Sequence, residues 1–237
     1  MRVLAFDTSS PVLTVAVADE SRVLGEWTTN LNKNHSVTLM DGISALLDEI
    51  KTDPDQLTAI AVGQGPGSYT GVRIGVSTAK SMAWSLGIPV IGVSTLETIA
   101  MNAIGFGGLI VPLFDARRGQ VYTGCWDSVE MTSLRSVLDE RIILLRDWLP
   151  QVLEQAAGRP VLFLGDDVSL HRAVIEEMVG EQARFAPSGL NHPRAAQIAW
   201  LGMQKLEQAD APDTHAVNPE YLQVSEAEAK WLANQQK

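Results

Sequence analysis

Residues 112 to 127, PLFDARRGQVYTGCWD, align without a gap on residues 4 to 19, LAFDTSSPVLTVAVAD, setting Phe114 on Phe6, Asp115 on Asp7 and Asp127 on Asp19. Both segments read as strand, turn, strand. A chain that repeats such a unit is constrained to two related domains, each needing its own sheet and core. The first copy sits in an antiparallel meander, with RVLAFD at 2 to 7, LTVAVAD at 13 to 19 and RVLGEWTT at 22 to 29 as its strands. The turns differ: the first carries Asp7, Thr8 and Ser9, whereas Ala116 and Arg117 replace the two hydroxyls in the second. With 237 residues, 46% of them hydrophobic, the chain can bury two modest cores. The expected boundaries are 1–105 and 106–237, with the last segment a candidate to pack back on the first domain.

A second constraint lies between Gly63 and Leu86. LTAIAV at 57 to 62 is a short apolar run suited to a buried strand, the glycines and Pro66 between 63 and 67 end it, and a helix follows. Gly71, Gly75, Ala79 and Ala83 recur every four residues, giving that helix a face without bulk that another backbone can approach, in this chain or in a partner. A glycine turn entering a helix can also hold phosphate on free N–H groups. The common nucleotide loops do not fit. A P-loop needs lysine after its last glycine, but Val72 follows Gly71 and the next lysine is Lys80; a dinucleotide turn from Gly65 would need glycine where Thr70 stands. Pro66 breaks the serine-hydrolase elbow around Ser68. A structural turn and a phosphate contact through Gly65, Gly67 and Ser68 both stay open. So do two readings of Asp7, Thr8 and Ser9: satisfying their own turn, or meeting nucleotide.

GPGSYTGVRIGVSTAKSMA, preceded by FDTSS and followed by IPVIGVSTLETIA, FDARRGQVY and PEYLQ in that order, closely resembles the TsaB (YeaZ) family over nearly the whole chain. These are accessory paralogues of the tRNA threonylcarbamoyltransferase TsaD. The resemblance implies a two-domain actin-like (ribonuclease-H-like) α/β fold with duplicated strand-turn-strand units. It also implies a supporting role beside TsaD and the ATPase TsaE, which together place threonylcarbamoyl from threonylcarbamoyl-AMP on the adenosine beside the tRNA anticodon. The TsaD pattern has two metal-binding histidines where this chain has Thr95 and Ile99, a weak oxygen ligand and a hydrocarbon. Glu97 beside them then reads as an ordinary helix residue. No catalytic residue and no metal ligand are expected; no cofactor is required, and ATP or ADP binding is left open.

HSVTLMDGISALLDEI at 35 to 50 has helical apolar spacing. By the family resemblance, this helix and the glycine-faced one form the surface that meets TsaD or a second copy, which nominates Leu39, Met40, Ile43, Leu47, Gly71, Gly75, Ala79 and Met82. His35 reads as a cap or packed ring, and His35, His171, His192 and His215 lack ligand-like spacing. His171 is expected in solvent, and Asp166 with Asp167 in a turn. RIILL reads as a strand, and RDWLPQVLEQA as a helix with Pro150 in its first turn. A closing helix is expected from about Asn191, and Trp231 with Leu232 as a short docking element.

The net charge is −10, with Arg117 and Arg118 the only adjacent basic pair. Independent nucleic-acid binding is therefore disfavoured, and tRNA is expected only through the complex. Cys125, alone in a strand, reads as inert and suits a reducing compartment. Without a basic-then-apolar leader or a run of about 18 apolar residues, the chain reads as cytoplasmic and not membrane-bound. Two rivals remain: a small actin-fold ATPase or kinase using Asp7, and a glycoprotease-like peptidase, whose required nucleophile and base or metal pair the sequence does not supply.

Overall fold

The computed structural model describes residues 1–31, 34–208 and 217–222. His215, Gln223, Trp231 and Leu232 lie outside them. The first sheet holds β1 (Arg2–Asp7), β2 (Leu13–Asp19), β3 (Val23–Thr29), β4 (Ala59–Gly63) and β5 (Val90–Val93), in the order β3-β2-β1-β4-β5. The second holds β6 (Leu109–Asp115), β7 (Gln120–Glu130), β8 (Ser133–Leu144), β9 (Val161–Leu164) and β10 (Ala183–Phe185), in the order β10-β9-β6-β7-β8. In each, the first strand pairs antiparallel with the second and parallel with the fourth. The repeat is therefore a whole-sheet duplication.

Helices α1 (His35–Glu49) and α2 (Tyr69–Leu86) cover one face of the first sheet. Leu39, Ile43, Val72 and Val76 share a core there with Leu4, Phe6 and Val15. Helices α4 (Leu145–Ala156) and α5 (Val168–Val179) cover the second sheet in the same way. The remaining two helices cross over. α3 (Thr95–Met101) follows β5 yet packs its Leu96 and Ile99 against Ile110, Phe114 and Trp126 of the second sheet. α6 (Ala195–Gln208) follows the second sheet yet packs Ile198 and Ala199 on Val3, Ala5 and Ala61 of the first. Polar contacts fix that crossing: Thr14 Oγ1 accepts from Ala195 N at 3.1 Å and Glu26 Oε1 from Ala196 N at 3.1 Å, occupying donors that a helix N-terminus leaves free. A cut at 105/106 separates the sheets but not their helix layers.

Two local expectations are corrected. Pro150 lies inside α4 and not in its first turn, because the helix starts at Leu145, whose N–H donates to Gly119 O at 3.0 Å. His171 is buried and not solvated, since its ring turns inward to the carboxylate of Asp115. Cys125 lies inside β7, and burial pushes its thiol up to about 12.

Candidate functional site

The first turn is closed by its own chain. Asp7 is fully buried at the end of β1, where Ser9 N–H donates to Oδ1 at 2.5 Å and the Thr95 hydroxyl to Oδ2 at 2.8 Å. The Ser9 hydroxyl lies 3.0 Å from that of Thr95. Burial pushes the Asp7 carboxyl above its ordinary range; the hydrogen bonds from Ser9 and Thr95 oppose this and do not cancel it. No space remains beside it, as a Cβ on Gly63 would fall 1.9 Å from Oδ2. Thr95 comes from the start of α3, so its hydroxyl ties α3 to β1.

The glycine turn completes the closure. Ser68 N–H donates to Ser9 O at 2.6 Å, and the Ser68 hydroxyl caps α2 by accepting from Gly71 N. The Thr8 hydroxyl donates to Gly71 O at 2.7 Å. A Cβ on Gly67 would lie 2.4 Å from Ser9 O, and one on Gly71 2.1 Å from Thr8 O. The residues between Gly63 and Gly71 thus allow two stretches of backbone to meet. Gly65 O accepts from Thr95 N at 2.9 Å. The six residues nominated for nucleotide, Asp7, Thr8, Ser9, Gly65, Gly67 and Ser68, meet one another and Thr95.

Residues 217–222 lie along α2. Glu220 N–H donates to Gln64 O at 2.7 Å, Lys80 Nζ donates to Val217 O at 2.9 Å, and Arg73 Nε donates to the Tyr221 hydroxyl at 2.8 Å. Tyr221 stacks on Tyr69 with ring centroids 4.7 Å apart, and the Arg73 guanidinium sits 4.3 Å from the Tyr69 centroid.

The second turn is open. Asp115, the counterpart of Asp7, accepts from His171 Nε2 at 3.0 Å and from Arg117 N at 3.2 Å, and its side chain keeps 28% of its exposure. Beside it Asp167 Oδ2 accepts from Asp115 N at 2.9 Å, and His192 Nδ1 donates to Asp166 Oδ1 at 2.8 Å. Arg117, Arg118 and Gly119 are all exposed. Among the described residues no group of three or more histidine, cysteine, aspartate or glutamate side chains is placed to hold a metal.

The residues nominated for a partner differ in exposure. Leu39, Ile43 and Leu47 point into the first core, as does Ala79, and Met82 packs against it. Gly71 and Gly75 face Thr8. Small residues on that helix face serve the contact with the chain's own turn. Of the nominated residues only Met40 is well exposed, together with its neighbour Val37 on α1 and with Tyr69 and Trp84 on α2; Trp84 is 81% exposed. Sequence reasoning did not place Thr95 against Asp7. It also missed Glu140 of β8, whose carboxylate lies near Ser94 across the seam between the halves and is pushed up to about 7 by burial. The alternation of β8 marks a strand but says nothing of which face meets α3.

Two sheets of one topology with exchanged third helices define the actin-like class of two-domain α/β proteins. The ROK hexokinase from Thermus thermophilus shares that fold, with a TM-score of 0.52 at 11% identity, over 88% of this chain and 100% of that one. The solved YeaZ from Pseudomonas aeruginosa superposes with a TM-score of 0.79 at 26% identity, over 93% of this chain and 99% of that chain. Residues 22–231 match the family model described as TsaD: tRNA N6-adenosine threonylcarbamoyltransferase. The tRNA threonylcarbamoyladenosine biosynthesis protein TsaB of Bacillus subtilis strain 168 is 46% identical over 235 residues, 99% of this chain and 100% of that protein. The Escherichia coli K12 protein of the same name is 36% identical over 124 residues, 52% of this chain and 53% of that one. The chain belongs to the TsaB (YeaZ) family. No helix among the described residues is long and apolar enough to cross a membrane.

Proposed function

We propose that this chain is the non-catalytic, cytoplasmic partner of TsaD in tRNA threonylcarbamoyladenosine formation. It binds TsaD and, with TsaE, supports transfer of threonylcarbamoyl from threonylcarbamoyl-AMP to the adenosine beside the anticodon. One observation carries the non-catalytic part: the acid that would meet nucleotide, Asp7, is buried and hydrogen-bonded to Ser9 and Thr95 of its own chain. A group so held would have to lose both partners and its packing before it could reach a phosphate or a metal ion. No nucleotide is required of this chain in this reading. The full-length match to the Bacillus subtilis TsaB supports the pathway.

The surface offered to TsaD, or to a second copy, is the outward side of α1 and α2. Val37, Met40 and Trp84 are large apolar side chains in solvent there. Large apolar groups left in solvent on these two helices gain by burial against a partner. The test is calorimetric titration with TsaD of the same organism, alongside modification of tRNA and ATP hydrolysis by the chain alone. Met40→Asp/Trp84→Asp is expected to weaken binding at least tenfold, as loss of two interface anchors does, while Asp7→Asn leaves binding and tRNA modification unchanged. ATP turnover by the isolated chain that disappears in Asp7→Asn would overturn the reading in favour of an actin-fold ATPase or kinase.

A further inference from the structure

The hairpin between β6 and β7 presents a cationic pair whose identity its backbone does not account for. Arg117 and Arg118 have φ of 67° and 55°, followed by Gly119 at 75°. Two successive left-handed residues in a hairpin favour asparagine or glycine, because a longer side chain gains nothing there and its Cβ crowds the carbonyl. The other non-glycine residues with positive φ, Lys51 and Ala157, follow the ends of α1 and α4, where one left-handed residue terminates a helix. The hairpin itself is held by main-chain bonds, Gln120 N to Arg117 O at 3.0 Å and Ala116 N to Gln120 O at 2.9 Å, and by Arg117 N on Asp115 Oδ2. None of these uses a guanidinium.

The other arginines of the described residues, Arg22 apart, are engaged. Arg135 and Arg159 meet Asp127, Arg146 meets Glu177, Arg172 meets Glu176 and Arg194 meets Glu26. Arg2 and Arg184 donate to carbonyls, while Arg73 and Arg141 lie over aromatic rings. Among the described residues the guanidinium groups of Arg117 and Arg118 have no such partner, and both are exposed. Of the acids at this end of the second sheet, Asp115 meets His171, Asp166 meets His192 and Asp167 accepts from Asp115 N. The one adjacent basic pair of a chain with net charge −10 is therefore held out, with no partner for either guanidinium among the described residues, on a turn that disfavours it.

We propose that the Arg117–Arg118 hairpin is a contact for the phosphate backbone of RNA, used when the assembled complex holds its tRNA. The inference rests on the function proposed above. Two guanidinium forks reach phosphate oxygens bidentately, and on a surface that otherwise repels RNA they are where a strand can approach. An RNA backbone, not an acidic protein, is the occupant argued for because the family model matched by residues 22–231 is that of a tRNA-modifying enzyme.

The test is binding of labelled tRNA to the complex of the full chain with TsaD, titrated with KCl. Assembly is measured first, by calorimetry. Arg117→Asn/Arg118→Asn, which suits the left-handed backbone, is expected to assemble normally and melt no lower than the parent. Its slope of log K against log salt should shrink by about 1 to 2, the share of two phosphate contacts. Arg117→Lys/Arg118→Lys should restore most of the slope, and Arg172→Gln, whose arginine pairs with Glu176, should leave it unchanged. An unchanged slope in the asparagine variant overturns the proposal. Weakened assembly at unchanged slope also overturns it and assigns the pair to a protein contact. If the parent does not assemble with TsaD, the proposed function fails; the same titration of the chain alone at low salt then decides the hairpin separately, loss of slope supporting it and an equal slope overturning it.

Discussion

The two halves carry one topology, and their first turns have opposite fates. In the first, Asp7 faces Thr14 across the hairpin; in the second, Asp115 faces Val121, so the second turn is one residue shorter. The longer turn brings Thr8 and Ser9 under α2, where Thr8 donates to Gly71 O, Ser9 O accepts from Ser68 N and the Thr95 hydroxyl donates to Asp7, and these bonds bury it. The shorter one stops at Arg117 and Arg118 in solvent. A duplicated unit has thus become a structural joint in one copy and a presented surface in the other. What separates them is whether hydroxyls and glycines on both sides let two backbones touch.

The greatest loss should come from forcing the joint apart. Gly71→Ala sets a Cβ 2.1 Å from Thr8 O, a main-chain atom that cannot rotate away. Helix propensity favours alanine by about 1 kcal/mol, yet the overlap is expected to leave a net loss of about 3 kcal/mol. Thermal melting should fall by roughly 5–10 °C for a chain of this size. Gly189→Ala in the second half, where a Cβ would meet nothing within 4 Å, should stay within about 0.5 kcal/mol of the parent. Equal losses at the two glycines would show that the close approach to Thr8 O does not set the cost at Gly71.

The seam offers a second comparison, between acid and neutral conditions. Glu140 reaches Ser94 from β8, and it faces Glu97, Glu220 and Lys205, while its Oε2 is buried without a hydrogen-bond partner. Burial, with the two other glutamates adding to it, raises its pKa from 4.5 to about 7. At pH values below 4.5 the group is protonated in folded and unfolded chains alike and takes nothing from stability. As pH rises toward 7 the unfolded chain ionises first, so stability falls, and above that value the loss is complete. The loss is at most about 3 kcal/mol. Glu140→Gln keeps the size of the side chain and removes the titration. The variant should gain over the parent between pH 5 and 8 in denaturant unfolding, with the difference vanishing near pH 4. A constant difference across that range would show that Glu140 does not ionise against burial.

Much of the fold was legible, and the reason is local. The meander, the strand and helix around the glycine turn, and the repeated hairpin each announce themselves by period and by turn residues within a short window. The direction of the small-residue face was not. Gly71 and Gly75 at one helical spacing suit a partner helix and a neighbouring turn equally, and only the position of Thr8 decides between them. His171 could not be placed either, since its partner Asp115 is distant in sequence and the helix around it mixes apolar and charged residues. Nor does any signal within Ala195–Gln208 say that the closing helix crosses to the first sheet. Its apolar face would suit either, and the choice is made by Thr14 and Glu26 waiting at the far end.

The smallest effects discriminate best between the two aspartates. Thr95→Val keeps the volume of a buried side chain but strips Asp7 of the hydroxyl donated to Oδ2. Water cannot replace that donor where the carboxylate is fully buried, so the loss should be about 2 kcal/mol. His171→Phe keeps a ring but removes the matching donor from Asp115, which keeps the Arg117 N–H and remains partly in solvent. Solvent then takes over the freed oxygen, and the loss should be under about 1 kcal/mol. Urea unfolding of both variants at one pH measures the pair directly, since each change removes one hydrogen bond to the same chemical group. A His171→Phe loss as large as that of Thr95→Val would mean that Asp115 depends on its buried partner as Asp7 does. The second turn would then be a joint of its own, with the two arginines riding on it rather than presented by it.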